Sequence, residues 1–124
     1  MSNGLKLRSK KFTHRYVKLA LLLPNHTLGN HVKGQLIRCF TSTAVNYRAA
    51  CVAISTKSFV AKLSISIEEV DECDFRIQFA VDEKLFSFEK SVSLIKEFKE
   101  LTAIFIASRK TAQKKYVNAL IINH

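Results

Sequence analysis

The chain has 124 residues, 48% of them hydrophobic, and its 20 lysines and arginines outnumber its 10 acidic residues, giving a formal net charge of +10. This length predicts one domain with one core, and the low glycine and proline content excludes long low-complexity stretches. The charge indicates an acidic partner, which is nucleic acid, an acidic protein surface or anionic lipid. No apolar run reaches the roughly 18 residues of a membrane-spanning helix, so we expect no membrane partner.

The cysteines indicate a reducing environment. The chain has an odd number of cysteines, which are widely spaced and include no C-x-x-C pair: Cys39, Cys51 and Cys73. This pattern supports neither a disulfide framework nor a zinc site. We therefore expect free thiols, no metal and no cofactor in an intracellular protein.

In chain order, residues 1–14 are polar and basic and are predicted to form a loose N-terminal arm. Alternating apolar residues from Tyr16 to Leu23 then predict a first strand. Pro24 ends that strand because it lacks an N–H. A helix follows, with Asn25 or Thr27 as its N-cap.

Three further strands are predicted from period-two alternation, at Val45–Ile54, Ser58–Glu68 and Asp74–Val81. An acidic turn, Glu69–Asp74, separates the last two. A long amphipathic helix is predicted from about Ser87 to Lys110, with a wide apolar stripe.

These elements predict an α+β fold. Their order is strand-helix-strand-strand-strand-helix, which gives an antiparallel sheet of about four strands with two main helices on one side. The single folded domain is expected over residues 15–110. Residues 111–124 are expected to form a basic C-terminal tail with a short apolar element.

Two motifs carry a resemblance to a known family. The pentapeptide HTLGN opens the first predicted helix, and Phe75-Arg76-Ile77-Gln78 precedes the long one. This arrangement resembles the small alpha-like subunits of multisubunit DNA-directed RNA polymerases, such as archaeal subunit L and its nuclear counterparts. The chain departs from that family at Asn25, where the family has Asp, and in lacking its Pro-His-Pro signature. The motif residues are His26, Thr27, Leu28, Gly29 and Asn30.

The resemblance implies a non-catalytic transcription subunit in the nucleus. Its implied partners are a larger alpha-like subunit, with which it forms an obligate heterodimer, and the large polymerase subunits that assemble on that dimer. The implied interface uses the apolar faces of both helices, with nucleic acid contacted only weakly or indirectly. Its residues are Leu28, Val32, Leu36, Phe88, Val92, Ile95, Phe98, Leu101 and Phe105.

The alternative is a small basic RNA-binding protein of a ribonucleoprotein, such as ribonuclease P, the signal recognition particle or the ribosome. Its support is the charge, which gives salt-sensitive affinity for phosphates. No G-x-S-x-G, P-loop or H-E-x-x-H motif indicates an enzyme. An apolar helix pair left uncovered on the folded monomer would favour the polymerase interpretation, and lysines and arginines gathered on the open face of the sheet would favour RNA. The candidate nucleic-acid contacts are Lys10, Lys11, Arg15, Arg109, Lys110, Lys114 and Lys115.

Overall fold

The chain folds as four helices, as seen in a computed structural model that describes residues 2–122. The helices are α1 (Ser2–Ala20), α2 (Thr27–Cys51), α3 (Thr56–Asp82) and α4 (Phe88–Ile122). Short loops join them, and α2 packs between α1 and α3 while α3 packs on α4. Side-chain contacts between α1 and α4 close the bundle. None of the described helices is long and apolar enough to cross a membrane.

The predicted α+β fold is wrong, because residues 2–122 contain no strand. Helix α3 occupies the region of two predicted strands. Its buried residues recur every three or four positions over several turns, so the helical period outweighs the shorter alternation around it. Ile65 and Phe75, placed on apolar strand faces by the alternation, are exposed. The buried residues of α3 are Leu63, Ser66, Val70, Cys73, Ile77 and Ala80.

The described part of the N-terminal arm and most of the first predicted strand belong to α1. Phe12, Tyr16 and Ala20 are buried at four-residue spacing, which is the spacing of one helix face. The alternating Leu21 and Leu22 lie in the following loop and are exposed. Residues 2–14 are therefore helical and anchored by Phe12, instead of forming a loose arm.

The two predicted helices are confirmed, with changed limits. The first begins at Thr27 but continues to Cys51, through most of the predicted strand Val45–Ile54. The second begins at Phe88 and continues past Lys110 to Ile122. The described part of the C-terminal tail is therefore a continuation of α4.

Four aromatic rings hold three of the helices together in what we call the aromatic box. Phe12 and Tyr16 from α1 lie 4.2 Å apart, measured between ring centroids, in an edge-to-face arrangement. Phe40 from α2 and Phe98 from α4 each lie within 6.1 Å of both. Such ring pairs add stabilisation beyond the area they bury. The box thus fixes α1 against α2 and α4, although α1 and α4 are far apart in sequence.

Candidate nucleic-acid interface

Acidic residues are confined to one stretch of the chain. All ten lie between Glu68 and Glu100, in the C-terminal half of α3, the following loop and the first part of α4. Helices α1 and α2 therefore carry basic charge only, and so does α4 beyond Glu100. Unbalanced positive charge repels itself and attracts anions, so these segments are the part of the chain best suited to an anionic ligand.

The antiparallel packing brings the start of α1, the end of α2, the acid-free start of α3 and the last part of α4 to one end of the bundle. At this end α1 and α3 begin, α2 ends and α4 continues past them. Most of the lysine and arginine side chains there are exposed, while Lys6 and Arg109 are half-buried. We name this surface the basic end, and its residues are Lys6, Lys10, Arg48, Lys57, Lys62, Arg109, Lys110, Lys114 and Lys115.

Helix α4 projects from the basic end. It has 35 residues against 27 in α3, so at about 1.5 Å per residue it is about 12 Å longer. Every side chain from Gln113 to Ile122 is exposed. Lys114 and Lys115 lie level with the start of α3, because Lys115 lines one pocket together with Ile54 and Thr56, and α4 continues beyond them to Ile122.

Outside the set of basic-end residues, three arginines pair with acids on neighbouring helices. The pairs join α1 to α4 and α2 to α3. Ion pairs this exposed contribute at most about 1 kcal/mol each to stability. An external phosphate would nevertheless have to compete with a carboxylate for each of these arginines. The pairs are Arg8 with Glu100 at 2.9 Å, Arg15 with Glu97, and Arg38 with Glu69 at 3.1 Å and also with Glu72.

Most of the candidate nucleic-acid contacts predicted from sequence meet at the basic end. Lys10, Arg109, Lys110, Lys114 and Lys115 belong to it, and Arg109 donates a hydrogen bond to the Ser64 hydroxyl at 3.1 Å.

Two of the predicted contacts lie apart from this set. Lys11 is exposed on α1 next to it, whereas Arg15 is paired with Glu97. Sequence reasoning missed Lys6, Arg48, Lys57 and Lys62, although the absence of any acid before Glu68 was a readable signal.

The HTLGN motif builds the start of α2. His26, and not Asn25 or Thr27, is the N-cap: its Nδ1 accepts a hydrogen bond from the Gly29 N–H at 3.1 Å. Gly29 is required because a Cβ there would lie 2.0 Å from the Pro24 carbonyl oxygen. The motif is therefore a local capping structure at the end opposite the basic end.

The predicted interface residues divide into two groups. Val32, Leu36, Phe98, Leu101 and Phe105 are buried in the core of this chain, and Ile95 packs against that core. Leu28, Phe88 and Val92 are exposed. The wide stripe on the long helix is therefore largely covered by the other helices of its own bundle.

A thiol and carboxylate cluster lies between α2 and α3. The Cys39 Sγ lies 2.6 Å from Glu72 Oε2, and one ligand atom from each of Cys39, Glu69 and Glu72 falls within 4.8 Å of the others. A hydrogen bond with Cys73 lowers the pKa of the Cys39 thiol. Arg38 already binds both carboxylates, so the cluster is an ion-pair network that joins two helices.

The fold and the surface define a small, strongly basic four-helix bundle. A family model described as 23S rRNA-intervening sequence protein matches residues 5–107. The chain therefore belongs to the 23S rRNA-intervening sequence protein family. The projecting end of α4 lies beyond the matched residues.

A solved structure supports the same assignment. The chain is similar to a protein of unknown function from the S23 ribosomal protein family of Bacteroides thetaiotaomicron VPI-5482, with 27% identity and a TM-score of 0.81. The match covers 88% of this chain and 97% of that chain. No curated protein matches the chain.

These findings overturn the polymerase resemblance. The family description refers to 23S rRNA and that of the solved structure to a ribosomal protein family, and neither description names a catalytic activity or a polymerase. The alpha-like partner, the large polymerase subunits and the role in transcription are therefore wrong. The chain shares HTLGN with the polymerase subunits by coincidence. The start of α2 needs a cap residue, which is His26, and a glycine at position 29, where the backbone passes close to the Pro24 carbonyl oxygen. The nuclear location was implied by the same resemblance and stays an untested prediction.

Proposed function

We propose that the chain is a non-catalytic RNA-binding protein that holds RNA backbone on its basic end. The observation that carries this proposal is the segregation of charge: every acid lies between Glu68 and Glu100, while the basic end has none. Phosphate contacts from lysine and arginine supply most of the affinity of such surfaces. The ribosomal names of the family and of the solved structure support RNA over the other acidic partners.

The lysines that α4 contributes to the basic end give the most direct test. Replacing Lys110, Lys114 and Lys115 by Gln removes three exposed charges without touching the core. We expect the affinity for a structured ribosomal RNA fragment to fall about tenfold or more, because each phosphate contact contributes to counterion release. The slope of log affinity against log salt should fall by about 2, measured by fluorescence anisotropy.

The matched control removes the same charge elsewhere. Lys18, Lys90 and Lys96 are also exposed and lie outside the basic end. Replacing them by Gln should change the affinity and the salt slope much less. Equal losses in the two triple variants would show non-specific attraction by net charge, and no measurable RNA binding by the unmodified chain would refute the function itself.

A further inference from the structure

Tyr116 is an aromatic side chain that is open to solvent at the basic end. The chain has three tyrosines and no tryptophan. Tyr16 and Tyr47 are each 1% exposed and belong to the core, whereas Tyr116 on α4 is 45% exposed. Lys114 and Lys115, which belong to the basic end, directly precede it in the chain. Proteins that hold single-stranded nucleic acid combine such exposed rings with lysines and arginines.

Tyr116 lines a cavity between the start of α3 and the last part of α4. The cavity encloses about 420 Å³, within the range of small-ligand sites. Its accessible lining is almost entirely carbon, so a ligand that fills it must present an apolar face. We name this cavity the α3–α4 seat, and its residues are Thr56, Lys57, Val60, Gln113, Tyr116 and Val117.

Positive charge borders the seat on two sides. Lys57 lines the seat and is exposed, so its methylene stem forms part of the wall while its ammonium group remains in solvent. Thr56 also lines a neighbouring cavity, to which Lys115 contributes. The nearest acids along α3 and α4, Glu68 and Glu100, are more than two helical turns from the seat. The lysines at its border therefore have no carboxylate beside them on these helices.

An apolar seat with lysines at its border suits a flat ring that is attached to phosphate. A nucleobase offers such a ring, and the phosphates on either side of it attract the lysines. In a duplex each base is already stacked on its neighbours, so only an unpaired base offers its face to a side chain. A second copy that docked through the same surface would bring two sets of lysines together, which is unfavourable.

We propose that one unpaired base of the bound RNA stacks on the Tyr116 ring in the α3–α4 seat. The phosphates that flank this base contact Lys57 and Lys115. This inference rests on the proposed RNA-binding function and adds to it a preference for single-stranded segments. Gln113, Tyr116 and Val117 follow the residues that the family model matches, so the α4 side of the seat lies outside the matched part of the chain.

The test removes the aromatic ring and then restores it. Tyr116→Ala and Tyr116→Phe are titrated by fluorescence anisotropy against a short unstructured RNA and against an RNA duplex. Tyr116→Ala should weaken single-strand binding about 5-fold or more, which is the value of one base stacked on an aromatic ring, and should leave duplex binding nearly unchanged. Tyr116→Phe keeps the ring and should bind both RNAs as the unmodified chain does.

The salt dependence separates stacking from charge. Tyr116→Ala removes no charge, so the slope of log affinity against log salt should equal that of the unmodified chain. The variant without Lys110, Lys114 and Lys115 should have a lower slope, because it loses phosphate contacts. A loss of affinity at constant slope is therefore the signature of a lost base contact.

Tyr116→Trp reports on the ring directly, because the chain has no other tryptophan. Its fluorescence should be quenched when the unstructured RNA binds and should change little when the duplex binds. This measurement also decides the matter if Tyr116→Ala proves to be unstable.

Phe88 provides the matched control. It is 70% exposed and lies at the start of the same helix, at the end opposite the basic end. Phe88→Ala should bind RNA as the unmodified chain does, and the fluorescence of Phe88→Trp should not respond to the unstructured RNA.

The outcomes separate this inference from the proposed function. If Tyr116→Ala binds single-stranded RNA normally while the α4 lysine variant is weakened, the stacking inference is overturned and the function stands. If the unmodified chain binds no RNA, both fail. If Tyr116→Ala weakens single-strand and duplex binding equally, no base is held there and the inference is overturned. If Tyr116→Ala changes only the oligomeric state in sedimentation velocity, the seat is a contact between copies, which also overturns it.

Discussion

The middle of the bundle and the basic end use the same charged residue types in opposite ways. In the middle, Arg15 and Arg38 each meet a carboxylate on another helix, and Arg8 does the same at the border of the basic end. At the basic end no acid is present, and lysines dominate. Arginine has a planar fork of donors that suits fixed pairs, whereas lysine is a flexible, strongly hydrated point charge. The difference teaches that net charge alone does not locate a ligand surface, because part of that charge holds the helices together.

The largest effect should come from breaking the middle of the bundle. Phe98 is 1% exposed and completes the aromatic box, so Phe98→Ala should lower the free energy of unfolding by about 3–5 kcal/mol. Chemical denaturation followed by circular dichroism measures it. Phe75→Ala is the control, because Phe75 is 62% exposed, and its loss should be well under half as large. Similar losses would mean that the box does not hold the middle together.

An intermediate effect is expected at the end opposite the basic end. Gly29→Ala should destabilise the chain by more than about 1 kcal/mol, because the new Cβ meets backbone at Pro24 that must move. Gly34 lies on the same helix with open space around it, so Gly34→Ala should stabilise by about 0.5–1 kcal/mol through helix propensity. Thermal and urea unfolding show whether each variant is less or more stable than the unmodified chain. Equal effects at the two glycines would contradict the role of HTLGN as a close-packed cap.

The smallest effect tests the comparison directly, through two cations on α1. Arg15→Gln should lower the free energy of unfolding by up to about 1 kcal/mol, because it breaks the pair with Glu97, and should leave RNA affinity nearly unchanged. Lys10→Gln should leave stability unchanged and weaken RNA binding several-fold. Unfolding and anisotropy measurements on both variants give the result. If both variants lose RNA affinity equally, the paired arginines also belong to the ligand surface.

The fold class could not be obtained from the apolar pattern alone. Between residues 58 and 81 more than half of the positions are apolar, so one stretch satisfies both a period of two and a helical period. Which residues are buried depends on the helices that pack against α3, and these come from distant parts of the chain. The exposure of Phe75 beside the burial of Cys73 and Ile77 is the observation that decides between the two periods.

Part of the basic end could be predicted from the sequence. Five of its lysines and arginines were selected from their clustering near the two termini. Arg48, Lys57 and Lys62 are isolated in sequence and join the surface only because antiparallel helices return to the same end.

The sequence by itself determined the local features of this protein. It determined the start of α2 after Pro24, the helical stripe that became α4, and the surplus and uneven distribution of basic charge, because each of these depends on residues close together in the chain. The tertiary structure alone decided that the remaining segments are helices, which arginines are paired, and that the acid-free segments meet at one end. These depend on contacts between residues far apart in sequence, which no local pattern specifies.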